Sequence, residues 1–123
     1  MRIIHTPQAP SAIGPYCQAI VHDGLVYASG QIGWSPDKEW GEGVAGEARQ
    51  ALENLSHVLE AAGSSLGRAL KVTVYLKDMN DFGEINAVYA EFFGDHRPAR
   101  ACVEAARLPK DAQIEIDCIA AVN

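Results

Sequence analysis

Two stretches of the chain repeat apolar residues at the spacing of an amphipathic helix. Between about Val44 and Ala62, apolar side chains recur three and four positions apart. The spacing resumes after Asp81, where Glu84 is compatible with an acidic capping box, and it runs to about Phe93. We assign Glu47, Gln50, Glu53, Asn54, His57 and Glu60 to the polar side of the first helix, and Phe82, Ile85, Val88, Tyr89 and Phe92 to the core stripe of the second.

Alternating apolar and polar residues predict strands on both sides of these helices. Asp23-Gly24 separates two β-prone runs, 19–22 and 25–29, and predicts a hairpin closed by a type I′ turn. From Leu70 to Leu76 the even-numbered residues are apolar, which gives that strand one apolar face. Further strands are predicted at about 2–5, 100–106 and 113–121, and the link 108–112 is short enough for an antiparallel hairpin between the last two.

The predicted order β-β-β-α-β-α-β-β favours an α+β fold, a two-layer single domain over residues 1–123 with both helices on one face of the sheet. If Ile114, Ile116 and Cys118 face the helices, then Glu115 and Asp117 point away from the core, beside apolar groups such as Ile119. Such a mixed face is typical of a subunit interface, so we expect function to lie between subunits.

Composition and charge exclude several classes of function. The formal net charge of −6 argues against a nucleic-acid partner, which requires clustered Lys and Arg. No segment approaches ~18 consecutive apolar residues, so no membrane association is expected. The three cysteines are widely spaced, and neither they nor the four histidines have metal-ligand spacing. These features predict a cytoplasmic protein without a metal site.

Several segments, in this order along the chain, carry a resemblance to a known family. They are Ala12-Ile13-Gly14-Pro15-Tyr16, Ser29-Gly30-Gln31-Ile32, Gln50–Leu55, Lys77–Phe82, Asn86–Phe93, Pro98–Glu104, Arg107–Asp111 and Ile114-Glu115-Ile116. Together they resemble the RidA family of enamine/imine deaminases, also called YjgF-type proteins. The resemblance runs from about Ala9 to the C-terminus.

The resemblance implies a chorismate-mutase-like subunit that assembles as a homotrimer, with sites in the clefts between neighbours. It also implies hydrolysis of 2-aminoacrylate and related 2-imino acids to 2-oxo acids and ammonia, with no cofactor. The partners expected from it are small 2-imino and 2-oxo acids and further copies of the chain.

Two residues are candidates for catalysis. The planar guanidinium of Arg100 can bind a carboxylate through two parallel hydrogen bonds; otherwise it is an ordinary surface or ion-paired arginine. Glu115 matches the family position thought to orient and activate water, and its alternative is an ion pair across an interface. Asp117 shares the face of Glu115 and remains a rival for that role.

Four further residues match family positions that line the substrate pocket. The resemblance implies that Cys102 meets the ligand mainly through its backbone, so we interpret it as a lining residue and not as a nucleophile. Tyr16, Ser29 and Asn86 are expected to contribute a ring, a hydroxyl and an amide. Their alternatives are an interface aromatic, a strand-end residue and a helix-surface amide.

Three functions stay open at this point. The first is the deaminase. The second is an RNA-acting translation inhibitor or endoribonuclease, and the third is a non-catalytic metabolite-binding or chaperone-like trimer. The chain also departs from the family pattern with Gly33-Trp34 and a second tryptophan, Trp40, in the loop after Ile32. The two tryptophans either alter the mouth of the cleft or cap the core, so this departure bears on substrate range more than on reaction type.

Overall fold

Two helices cover one face of a six-stranded mixed sheet in the computed structural model, which describes residues 1–122. Its elements are β1 (Arg2–Ile4), β2 (Ala19–His22), β3 (Leu25–Ile32), α1 (Gly43–Ala61), β4 (Ala69–Leu76), α2 (Phe82–Phe93), β5 (Ala99–Glu104) and β6 (Ile114–Ala121). This confirms the predicted α+β class and the order of the elements. Neither α1 nor α2, nor any shorter helix within the described residues, is long and apolar enough to cross a membrane.

The sheet has the order β1-β2-β3-β6-β4-β5, and β4 and β5 form its one parallel pair. The prediction of an antiparallel hairpin between the last two strands is therefore wrong, because β4 lies between β5 and β6. Helix α2 returns the chain across the sheet, so β5 runs alongside β4 in the same direction. Residues 105–113 then carry the chain past the end of β4, through a turn in which Lys110 and Asp111 have positive φ angles.

Strands β6 and β4 contribute most of the buried residues of the sheet. Ile114, Ile116 and Cys118 are buried against the helices, as predicted from the alternation in β6. The alternation in β4 holds from Val72 onward, but Leu70 is 49% exposed, contrary to prediction. A register shift between Ala69 and Lys71 places Ala69 in the core instead.

The turn at Asp23-Gly24 agrees with its prediction. The two residues have φ angles of 50° and 79°, which the two central positions of a type I′ turn require. The turn joins β2 to β3 with Ala19 opposite Ala28. It thereby fixes the register of the strand that leads into Ser29 and Gly30.

Two residues assigned to the polar side of α1 are in fact buried. Asn54 is fully buried and donates from Nδ2 to the carbonyls of Ile32 (3.1 Å) and Trp34 (2.9 Å). Glu47 accepts hydrogen bonds from the backbone N–H of Gln113 (2.9 Å) and from its amide (2.7 Å). These polar side chains therefore anchor the loop after β3 and the residue before β6 to the helix.

The start and the apolar stripe of α2 also differ from prediction. Asp81 makes no capping hydrogen bond with its side chain, whereas Asp78 accepts one from the N–H of Asn80. Phe93 is buried, Phe92 is partly buried and packs against the core, and Phe82 is 38% exposed. The helix therefore begins one short 3-10 turn after Asp78, and Phe82 is free to contact another element.

The segment before β2 is held by one buried amide. Gln18 is 2% exposed and accepts a hydrogen bond from the N–H of Thr6 at 2.6 Å. Its Nε2 donates to the carbonyls of Thr6, Ala9 and Pro10 at 3.0, 3.3 and 2.9 Å. Residues 5–18 form no strand, so their backbone groups have no partners in the sheet. The side chain of Gln18 hydrogen-bonds several of these groups instead and fixes the loop against β3.

Candidate functional site

Arg100 lies on the helix-covered face of the sheet, at its β5 edge. It is paired in the parallel ladder with Val72, whose side chain is buried under the helices. Its Nη1 donates a 2.8 Å hydrogen bond to Oδ1 of Asn86 on α2. The guanidinium carbon lies 4.8 Å from the ring centroid of Tyr89 and 5.5 Å from that of Phe82. Two aromatic rings and an amide therefore hold the guanidinium in one orientation.

An open pocket of ≈ 250 Å³ adjoins this guanidinium, and we call it the Arg100 pocket. It is lined by Asn86, Tyr89, Ala90, Arg97, Pro98 and Arg100. Within residues 1–122, no carboxylate lies within ion-pair distance of Arg100. Tyr89 is buried in the pocket wall, and burial raises the pKa of its hydroxyl, so the group stays neutral. The pocket is therefore cationic and suited to a small anion.

Glu115 lies on the opposite, helix-free face of the sheet. It pairs with Tyr75 on β4 and Ile32 on β3, and it lines a second pocket together with Tyr16 and Gly30. We call this second cavity the Glu115 pocket. Burial raises the pKa of the Glu115 carboxyl above its ordinary value, and the nearby charge of Asp117 raises it further. A carboxyl in this state can take up and release a proton closer to neutral pH.

The close contact between Glu115 and residue 30 explains why residue 30 is a glycine. A β-carbon at residue 30 would clash with Oε2 of Glu115 and would lie 2.8 Å from its Cδ. The carboxylate therefore occupies space that any other residue would fill with its own side chain. The register shift between Ala28 and Gln31 brings this glycine opposite the carboxylate.

Asp117 shares the face of Glu115 but has a different environment. Its Oδ2 accepts a hydrogen bond from the Tyr75 hydroxyl at 3.2 Å, and it does not line the Glu115 pocket. Burial raises the pKa of Asp117, and the hydrogen bond from Tyr75 lowers it. Of the two carboxylates, Glu115 is therefore the one presented to a cavity.

The remaining predicted residues divide between the two faces. Tyr16 is 52% exposed and lines the Glu115 pocket. Ser29 precedes Gly30 and donates from its hydroxyl to the carbonyl of Cys17 at 2.6 Å, which leaves its oxygen able to accept. Cys102 lies on the Arg100 face of β5, and burial raises the pKa of its thiol, so the thiol is protonated.

One protomer thus carries two pockets on opposite faces of its own sheet. Arg100 and Asn86 line the first, and Glu115 and Tyr16 line the second, whereas Cys102 and Ser29 line neither. In the part of the chain that the structure describes, no three His, Cys, Asp or Glu side chains are grouped to hold a metal ion.

Sequence reasoning missed several residues that shape these pockets. Tyr89 is buried in the core as assigned, but its contact with the guanidinium was not predicted. Phe82 was assigned to the core stripe, although it is exposed and contacts the guanidinium. The spacing of 82, 86 and 89 along α2 could have identified them, since i, i+4 and i+7 share one helix face. The contacts of Gly30 and Gln18 depend on tertiary structure, and no local pattern signals them.

Residues 6–122 match the family described as Endoribonuclease L-PSP. A protein of Salmonella typhimurium named 2-iminobutanoate/2-iminopropanoate deaminase is 49% identical over 123 residues, covering 97% of this chain and 96% of that protein. These comparisons cover the residues of both pockets.

Two solved structures from E. coli have the same fold. The YjgF gene product superposes with a TM-score of 0.95 at 46% identity, and the alignment covers all of both chains. TdcF, whose crystal structure contains bound serine, gives a TM-score of 0.95 at 45% identity, again over the whole of both chains.

We expect a Gly30→Ala substitution to displace the Glu115 carboxylate while the fold is retained, because the clash involves the flexible end of a side chain. The pKa of Glu115 should then fall toward its ordinary value as the group moves into solvent. An NMR titration of the side-chain carboxyl measures this, with thermal unfolding as the check on the fold. Gly83→Ala is the control, since a β-carbon there meets nothing within 4 Å. An unchanged Glu115 pKa in Gly30→Ala would contradict the contact.

Proposed function

Because the chain belongs to the Endoribonuclease L-PSP family, also called the YjgF/RidA family, we propose that it hydrolyses 2-imino acids to 2-oxo acids and ammonia. The observation that carries the proposal is Arg100, a guanidinium oriented by Asn86 and Tyr89 beside an open pocket and not neutralised by a carboxylate of the described chain. The name of the Salmonella relative and the serine bound to TdcF point to the same chemistry. Serine, like a 2-imino acid, has a carboxylate next to a carbon that carries nitrogen.

The reaction requires an anchored carboxylate and a directed water. The substrate R–C(=NH₂⁺)–COO⁻ adds the oxygen of water at its imine carbon, and the C–N bond of the resulting carbinolamine then breaks. The products are R–CO–COO⁻ and NH₄⁺, so no oxidant or cofactor is consumed. In our proposal Arg100 binds the carboxylate with the N–H groups that it does not donate to Asn86.

Glu115 is proposed as the group that orients and deprotonates the water. Its raised pKa suits a carboxylate that accepts a proton from water and then returns it to the departing nitrogen. Iminium ions already react with water in solution, so holding both reactants in place provides most of the required acceleration. Asp117, bonded to Tyr75, is proposed to modulate the charge of Glu115 and not to contact the substrate.

We further propose that the active protein is a homotrimer and that each site combines the Arg100 pocket of one subunit with the Glu115 pocket of the next. The argument is geometric, because one sheet separates the two groups within a protomer. Tyr16 and Ser29 would then line the Glu115 side of the substrate, and Asn86 and Cys102 the Arg100 side. The helix-free face, with exposed Tyr27 and Val103, is apolar enough to form the interface.

RNA cleavage is the second function that the family's description suggests. Binding RNA requires Lys and Arg side chains spread along the phosphate backbone, and this chain has a net charge of −6. Of the ten basic residues, Arg49 and Arg107 are already paired with Glu91 and Asp111. The Arg100 pocket fits one small anion better than a polymer of phosphates, so we favour the imine substrate.

Replacement of Arg100 by alanine should lower kcat/KM for imine hydrolysis by about two orders of magnitude. Two charge-assisted hydrogen bonds to a carboxylate contribute roughly 3 kcal/mol, and about 1.4 kcal/mol is a factor of ten. The imine is generated from serine or threonine by a dehydratase, and ammonia release is measured above the uncatalysed rate. Arg49→Ala, on the outer surface of the helices, is the matched control. Full activity of Arg100→Ala would contradict the contact between Arg100 and the substrate carboxylate. If the wild type binds 2-oxo acids but does not turn over the imines, the result would favour a metabolite-binding protein.

The two carboxylates should be distinguished by the pH dependence of kcat/KM. Activity of the wild type should fall on the acid side as Glu115 becomes protonated, with a midpoint above the ordinary pKa of a glutamate. Asp117→Asn removes a neighbouring negative charge, so it should lower the Glu115 pKa and move this limb to lower pH while activity at neutral pH is retained. Glu115→Gln should be inactive throughout. The reverse pattern, with Asp117→Asn inactive, would assign the water to Asp117.

A further inference from the structure

The Arg100 pocket contains a second guanidinium, that of Arg97. This residue lies in the turn between α2 and β5, directly before Pro98. Its Nη1 donates hydrogen bonds to the carbonyls of Gly94 and His96, the second at 3.1 Å. These bonds hold the side chain against its own turn, and there it lines the same opening as Arg100.

Both arginines leave the same edge of the guanidinium free. Within residues 1–122, Arg97 donates its hydrogen bonds from Nη1 alone, and Arg100 donates to Asn86 from Nη1 as well. In each group, Nε–H and the neighbouring Nη2–H have no partner in that part of the chain. Two adjacent N–H groups of this kind are suited to bind a carboxylate through two parallel hydrogen bonds.

The two positive charges are not neutralised by the described chain. Neither Arg97 nor Arg100 has a carboxylate within ion-pair distance in residues 1–122. The buried hydroxyl of Tyr89, in the wall of the pocket, has no hydrogen-bond partner there either. Burial raises the pKa of this hydroxyl, and the charges of Arg100 and Arg97 both act to lower it. Both cations therefore lie close to one buried group and face one opening.

We propose that Arg97 forms a second anion subsite, and that the site accepts 2-imino acids whose side chain ends in a second carboxylate. The proposal rests on the proposed imine hydrolysis and extends its substrate class. Arg100 binds the carboxylate next to the imine carbon, and Arg97 binds the one at the end of the side chain. Three positions of chain separate the two α-carbons by at most ~11 Å, so one short diacid can contact both side chains.

The reaction of such a diacid is the same hydrolysis. The substrate ⁻OOC–CH₂–CH₂–C(=NH₂⁺)–COO⁻ adds water at the imine carbon, and the C–N bond then breaks to give 2-oxoglutarate and NH₄⁺. The second carboxylate takes no part in these steps. Arg97 therefore contributes to binding of the substrate and not to the chemical step.

Calorimetry with two 2-oxo acids of equal length tests the subsite directly. 2-Oxoglutarate carries a carboxylate where 2-oxopentanoate carries a methyl group. Wild type should bind 2-oxoglutarate about tenfold more tightly, because hydrogen bonds between charged groups contribute roughly this factor. Arg97→Ala should bind both acids equally. Arg97→Lys keeps the charge but loses the planar pair of N–H groups, so it should retain part of the preference.

Turnover provides the second measurement, with imines made in place by amino acid oxidases from glutamate and norvaline. Arg97→Ala should raise KM for the glutamate-derived imine about tenfold without lowering kcat, and KM for the norvaline-derived imine should stay within about twofold. Arg68→Ala is the matched control, since Arg68 donates to the carbonyls of Ala121 and Val122, outside the Arg100 pocket. It should leave both KM values unchanged, and thermal unfolding checks the fold of each variant.

The two measurements separate the subsite from the hydrolysis. If Arg97→Ala abolishes the preference for 2-oxoglutarate but wild type hydrolyses neither imine, the hydrolysis is wrong and the subsite stands. If both imines are hydrolysed but wild type binds the two oxo acids equally, or Arg97→Ala keeps the preference, the subsite is wrong and the hydrolysis stands.

Discussion

Neighbouring residues of a strand point to opposite faces of a sheet, and this constraint governs how the protein can form a site. Val72 and Val74 point toward the helices from β4, and Arg100 lies on the same face because it pairs with Val72. Tyr75 points away from the helices, and Glu115 shares its face because it pairs with Tyr75. A sheet thus stands between the guanidinium and the carboxylate. If both act on one substrate, two copies of the chain must meet, with the β5 edge that carries Arg100 in one copy against the helix-free face of the other.

Each pocket is held in place by side chains from neighbouring elements. The amide of Asn86 and the ring of Tyr89 orient the guanidinium from α2, while Gln18 and Asn54 secure the two loops that border the Glu115 pocket. The structure also tolerates a half-buried carboxylate whose pKa is raised, which disfavours its charged form in the fold. Such a group is expected where function requires a proton near neutral pH and not where stability alone matters.

Features that depend on local periodicity could be predicted from the sequence. The 3–4 spacing in α1, the alternation in β6 and the Asp-Gly turn each identified their element, because each element buries one face of a single segment. The order of strands could not be derived in this way. The short link before β6 favoured a hairpin, but the partner of β5 is decided by the crossover through α2. Leu70 was assigned to the wrong face because one register shift reverses every alternation before it.

The candidate site shows the same division. Motifs identified Arg100, Asn86, Glu115 and Tyr16, and the structure gathers them into two pockets. Phe82 was misassigned because its ring has the periodicity of a core residue, although it contacts the guanidinium. Glu47 and Asn54 were assigned to solvent because they are polar, yet each satisfies backbone groups that the fold buries. Buried polar residues and exposed apolar residues therefore lie where the chain supports its pockets.

The central claim is that each active site takes Arg100 from one subunit and Glu115 from another. The most direct test mixes two inactive variants, Arg100→Ala and Glu115→Gln, in equal amounts by co-expression with different affinity tags, and isolates the mixed trimers. Every mixed trimer should contain one interface in three with both intact groups, whichever variant is in excess, so about a third of the wild-type activity should return. Mixed trimers with no more activity than either parent would contradict the account.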